Sequence, residues 1–214
     1  MASLPDHLRS TAVGKKRISK QLLEQHQCRR ILLASVRVFA RHGYQSATVD
    51  QVVSAAGIGV GSFYSLFEGK EDCFLRLLDL IVVEAEERIL AAIDPEAPWR
   101  DRVVQGLREV LELAAAEPDR AHVAIVEAPT AGPVAEARYA ETVARLAAGL
   151  REGRSTDAPG EGPTAAFEDA AIAGLAWTLH LRLALGQPVV ARELLPEMTD
   201  FLVGPYVGAG IAKR

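Results

Sequence analysis

Residues 48–71, TVDQVVSAAGIGVGSFYSLFEGKE, restrict the fold of this chain more than any other stretch. Thr48 is a good N-cap, and residues 49–55 suit a helix whose apolar side carries Val52 and Val53. Gly57 ends that helix, because a left-handed C-terminal position leaves no room for a Cβ. Ile58 follows as a plug. Residues 60–67 make a second short helix, with Phe63 and Phe67 four apart on one face. Gly69 punctuates, and Lys70-Glu71-Asp72 opens a long amphipathic helix. Two short helices joined by a tight turn form a helix-turn-helix, and the second helix has the right size for a DNA major groove.

Thr48, Val52, Val53, Ala56-Gly57-Ile58, Gly61, Phe63-Tyr64, Phe67 and Lys70-Glu71 together resemble the N-terminal signature of the TetR family of bacterial regulators. Phe39 and Gly43-Tyr44 upstream fit the same pattern. The close resemblance covers roughly residues 29–74; beyond them only the architecture is similar. Two residues depart from the pattern. Gly59 stands where the family usually has a capping serine or threonine, and Cys73 where a leucine is common. The resemblance implies a cytoplasmic bacterial transcriptional regulator, most simply a repressor. Such a protein binds a palindromic duplex operator as a homodimer and is released by a small-molecule effector.

Charge supports a polyanionic partner at one end. The chain as a whole carries −4, but residues 1–49 hold nine Lys or Arg against two acids, and residues 73–214 hold 14 basic against 22 acidic residues. Cys28 and Cys73 make no disulfide framework, and a reducing cytosol fits. No hydrophobic signal region opens the chain, and no apolar run reaches membrane-spanning length.

The remaining periodicity predicts an all-α chain. Residues 1–19, with Pro5, Gly14 and Lys15-Lys16-Arg17, read as a flexible basic arm. Residues 20–72 read as a three-helix DNA-binding domain, its first helix at 20–42. Residues 73–214 read as a helical ligand-binding and dimerisation domain. The helix opened at Lys70 keeps an i, i+3, i+4, i+7 stripe from Phe74 to Ala92, so one rod links the two domains. Further helices are expected at 99–116, 120–127, 133–151, 164–185 and 191–203, with a polar Gly/Pro loop at 153–163. Between residues 170 and 185 only Thr178, His180 and Arg182 are polar, so a second subunit is expected to cover part of that helix. Leu175, Leu181, Ala184, Leu195, Phe201 and Leu202 are the candidate dimer contacts.

The reading helix has no Lys or Arg. Gly59, Gly61 and Ser62 let its backbone approach DNA closely, Val60 suits a thymine methyl, and Ser62 suits a base edge. Ser46 and Thr48 offer hydroxyl or N–H groups to a phosphate at a helix N-terminus, and Lys70 adds a third such contact. By the resemblance, Tyr64 binds a phosphate too. Candidate effector-binding residues put a polar tip or large ring into an apolar bundle: Trp99, His122, Glu127, Tyr139, Phe167, Trp177 and His180. No catalytic motif, cofactor loop or metal-ligand spacing is found among the sequence patterns, and the five histidines share no helix face. The competing classes are a ligand-blind regulator or activator, an all-α small-molecule enzyme and a structural interaction protein. Salt-dependent duplex binding separates the regulators from the other two.

Overall fold

The computed structural model describes the backbone of residues 6–157 and 164–208, and the side chains of residues 22–151 and 164–206. Among the described residues there are nine α-helices and no strand. They are α1 (Asp6–Ser46), α2 (Val49–Ala56), α3 (Val60–Tyr64), α4 (Lys70–Ala92), α5 (Trp99–Ala116), α6 (Pro118–His122), α7 (Pro133–Asp157), α8 (Ala165–Ala184) and α9 (Ala191–Gly208). A π-helical turn, Val123–Glu127, and a 3-10 turn, Ala128–Thr130, follow α6.

Several boundaries differ from expectation. The segment read as a flexible arm is helical from Asp6 onward. A proline just ahead of a helix costs that helix no internal hydrogen bond, and one interior glycine costs only about 1 kcal/mol. The side chains of Lys15, Lys16 and Arg17 lie outside the described residues. Helix α7 runs six residues past its expected end, taking residues 153–157 from the expected loop; residues 158–163 lie outside the described ones. Helix α3 is shorter than expected, closing at Tyr64 with Ser65 as C-cap.

The helix-turn-helix forms as its residues dictate. Thr48 and Gln51 make a reciprocal capping box, and Gly57 sits at φ 63°. The Gly57 and Ile58 N–H groups donate to the Ser54 and Val53 carbonyls at 3.2 and 3.0 Å, the Schellman pattern that satisfies a helix end. Helix α1 kinks at Gly43, φ 71°. There a Cβ would also stand 3.3 Å from a carboxylate oxygen of Glu127, so both conformation and space require glycine.

Two apolar clusters hold the chain together. The first contains Phe39, Val52, Phe63, Phe67, Phe74, Leu77 and Ile81, and reaches into the later chain through Val123, Ala128, Ala131 and Ala135. Its centre is aromatic: Phe74 lies 5.1 Å from Phe39, edge to face, and 4.7 Å from Tyr44. The second cluster joins Trp99, Leu111, Leu150, Leu175, Leu179, Leu202 and Tyr206 from α5, α7, α8 and α9. Leu175 and Leu202, expected at a dimer interface, are therefore core residues of the subunit, 7% and 2% exposed. Helical spacing explains the difference. Leu175 lies on the inner side of α8, whereas Trp177, Leu181 and Leu185 stand 58%, 42% and 67% exposed on its outer side. Phe201 of α9 is 47% exposed and packs beside Gly174, extending that outer surface. Ala184 is exposed with it, and Leu195 is half-buried against the second cluster.

Candidate nucleic-acid interface and effector cavity

The outer side of α3 is built by what its inner side buries. Phe63 is fully buried and stacks near Phe67 at 5.1 Å, which turns Val60 and Tyr64, 43% and 56% exposed, to the outside. Gly59 and Gly61 are exposed beside them, and Ser62 is half-buried. Gly59 is the N-cap of α3 and makes no side-chain cap hydrogen bond. A Cβ at Gly59 or Gly61 would meet nothing within 4 Å, so the subunit itself does not require glycine at either position.

Ser46 and Thr48 are exposed at the α1–α2 junction. Thr48 already spends its backbone N–H on Gln51 Oε1 at 2.9 Å, and its hydroxyl oxygen accepts the Gln51 N–H at 3.3 Å, so the hydroxyl proton is what it has left to donate to a partner. Lys70 is engaged inside the subunit. Its Nζ donates to the carbonyls of Tyr44 and Gln45 at 2.8 and 3.1 Å, and lies 4.6 Å from the Tyr44 ring centroid. Of three ammonium donors one is left, so Lys70 first fastens α4 to the end of α1.

A Gly61→Ala variant separates folding from contact. Alanine at a helical position is expected to stabilise the fold by up to about 1 kcal/mol. If the α3 backbone must lie against a duplex, the same methyl group is expected to lower operator affinity at least tenfold. Thermal melting and duplex titration check both signs; unchanged affinity would end the close-approach reading.

Between the two apolar clusters lies a cavity of about 460 Å³, walled by α4, α5, α6 with its π turn, α7 and α8. Leu78, Ile89, Val110, Tyr139, Leu146 and Leu179 are among its lining residues. Volume and apolar lining are those of a small-molecule site. Of the seven residues expected to bind an effector, Tyr139 alone lines it. Burial there pushes its phenol above the ordinary value.

The other six sit elsewhere. Trp99 is buried against Tyr206, with ring centroids 4.6 Å apart. Phe167 packs on the second apolar cluster. Trp177 is on the outer side of α8, stacked on His180 at 5.1 Å, and His180 Nδ1 lies 3.2 Å from the Ile125 carbonyl. His122 and Glu127 pair at 3.2 Å. Glu127 also accepts the Tyr44 N–H at 2.6 Å, so it caps the kinked end of α1.

Sequence reasoning missed the polar groups around the cavity, because their pairing spans distant parts of the chain. An ionic chain runs along its wall. Arg29 of α1 holds Glu84 at 2.7 Å, and Glu84 also pairs with Arg120. Arg120 holds Glu117 at 2.9 Å, Glu117 meets Arg88 at 3.0 Å, and Arg88 meets Glu109 at 2.9 Å. Burial raises Glu84, but Arg120 and Arg29 outweigh it and hold the carboxyl below its usual range. Each bridge alone contributes little. Together with the Glu127–Tyr44 bond they join the cavity wall to α1 at two places.

The cysteines are poor thiolates. Burial pushes Cys73 up to about 12, and it raises Cys28 too, against the opposing effect of Arg76. Among the described residues no cluster of three metal-ligating side chains occurs, and no helix is long and apolar enough to cross a membrane.

The sequence profile of the bacterial regulatory proteins of the tetR family matches residues 31–77. The HTH-type transcriptional regulator YhgD of Bacillus subtilis is 30% identical over 82 residues, which are 38% of this chain and 43% of that protein. The match thus spans less than half of that relative. The fold is shared more widely. FadR of Bacillus subtilis, solved in complex with stearoyl-CoA, superposes with a TM-score of 0.72 at 22% identity, covering 82% of this chain and 97% of that one. AibR, solved with isovaleryl coenzyme A and operator DNA, superposes with a TM-score of 0.70 at 15% identity, covering 84% and 100%. Residues 31–77 therefore carry the N-terminal domain that this profile describes, and the likeness over the rest of the chain is one of fold.

Proposed function

We propose that the protein is a dimeric DNA-binding repressor, released from its operator by an effector with an apolar acyl chain. Residues 20–72 would form the DNA-binding head and residues 73–214 the effector and dimerisation domain. Ser46, Thr48, Val60, Ser62, Tyr64 and the remaining donor of Lys70 would face the duplex. Two heads would meet successive major grooves about 34–36 Å apart. The exposed side of α8, with Phe201 of α9, would be the two-fold contact.

The observation that carries the reading is that one helix serves both ends. Cys73, Phe74 and Leu77 of α4 are buried in the core that seats α3, while Val82, Ala85 and Ile89 line the cavity. An effector that swells the cavity would press on α4 and on the π turn holding Glu127. Either movement shifts α1 and α4, and with them the head. The cavity is apolar enough for an acyl chain, and two proteins of the same fold were solved with acyl-CoA molecules.

Selection of duplexes from a random pool, followed by titration with acyl-CoA thioesters of graded chain length, tests this. A selected duplex is expected to lose at least tenfold in affinity with the best-fitting thioester, about 1.4 kcal/mol of coupling. Ala176→Phe, which fills part of the cavity, is expected to abolish the response and leave duplex affinity intact. No preference among duplexes would sink the regulator reading. Preference without response to any thioester would sink the ligand class.

A further inference from the structure

The head carries a second charged surface that the reading helix does not use. Arg30, Arg37 and Arg41 are all exposed on α1. Their spacings of seven and four residues bring them to one side of the helix. Arg29, one residue away, holds Glu84, whereas among the described residues none of these three is in an ion pair. Arg37, Arg41 and His42 form one wall of an open groove of about 530 Å³ between α1 and α2. Its other wall is Asp50 and Gln51, and Ser54 and Ala55 lie further along α2.

We infer that this α1–α2 groove is a second contact surface for the DNA backbone, holding phosphates that flank the bases read by α3. The inference rests on the DNA-binding reading proposed above. Its position follows from the chain. Gln51 is the capping partner of Thr48, so the groove begins in the first turn of α2, where Ser46 and Thr48 are exposed. From there it runs back along α1 past Arg41 to Arg37. Four helical residues advance about 6 Å, so the two guanidinium groups sit at successive levels beside a strand leaving the reading site.

The lining argues for phosphate over a protein partner. It offers no exposed aromatic or leucine to anchor a protein, and its unpaired cations on a wall of small side chains suit a phosphodiester strand. Asp50 opposes that binding. It lies in the first turn of α2, where a carboxylate favours the helix, and it would repel a nearby strand.

The test measures affinity of the full chain for a selected duplex, and for a scrambled one, across a salt series. Arg37→Gln with Arg41→Gln is expected to weaken both duplexes at least tenfold, leave their ratio unchanged, and reduce the salt slope by about two units. Asp50→Asn is expected to tighten both duplexes severalfold. Trimming the flanks of the duplex should reproduce the loss in the parent protein and add little in the double variant. Unchanged affinity and slope in the double variant, with sequence preference intact, would overturn the groove alone and leave the groove to a protein partner. A loss confined to the selected duplex would overturn it too, since it would make the arginines base readers. If the parent binds no duplex, the regulator reading falls and takes the groove with it.

Discussion

Phe74→Ala is expected to destabilise the protein by about 3–5 kcal/mol, lowering its melting midpoint by roughly 6–20 °C. Phe74 is 1% exposed and meets Phe39 edge to face and Tyr44 at an angle, at 5.1 and 4.7 Å. Truncation removes its buried surface and leaves a hole bounded by two rings that cannot close without moving α1. The damage reaches the head, because Tyr44 is also the carbonyl that holds Lys70 and the N–H that holds Glu127. Duplex binding is expected to fall with stability. Phe74→Leu keeps most of the volume and should lose mainly the ring interactions, about 1 kcal/mol. Calorimetry of the two variants decides. Equal midpoints for Ala and the parent would mean that this aromatic centre does not hold the fold.

Leu181→Asp and Leu175→Asp are expected to fail in opposite ways. Leu181 is 42% exposed on the outer side of α8, so an aspartate there leaves the subunit folded. In a two-fold contact the same charge is buried without a partner, at about 3–5 kcal/mol, or roughly three orders of magnitude in dimer dissociation. Leu175 is 7% exposed and also lines the cavity, so an aspartate there should unfold the subunit itself. Light scattering and melting measured together distinguish the cases. A Leu181→Asp protein that stays dimeric at micromolar concentration would place the interface elsewhere. Monomers should also bind operator poorly, since two heads must engage at once.

The different reach of these substitutions follows from what is local in the chain. Caps and turns are local: the Thr48–Gln51 box and the left-handed Gly57 require neighbours no more than five residues away, so they are legible in sequence. The stripe of α4 is equally legible, because 3.6-residue periodicity needs no partner to be seen. Periodicity also told that α8 is apolar on several sides. It did not tell which side meets the subunit's own core and which is left outside, since that depends on where α5, α7 and α9 lie.

The cavity shows the same division more sharply. Of the polar tips and large rings that the sequence sets into apolar helices, Tyr139 lines the cavity and six pack or cap elsewhere. Shape selects a pocket, and shape arises only when α4, α5, α7 and α8 stand apart at one level. Glu127 is the clearest instance. In sequence it is a carboxylate near the end of a short helix. In the fold it meets Tyr44, 83 residues away, at a kink that Gly43 alone permits. Lys70 likewise has sequence neighbours that point to a phosphate, and a fold that gives two of its donors to α1. By itself the sequence determined the helix-turn-helix, the all-α class and the long helix α4, because each depends on short-range sterics and hydrophobic period. Only tertiary structure decided the cavity, the ionic chain on its wall and the exposed side of α8, because each requires side chains from segments that meet only after the helices pack.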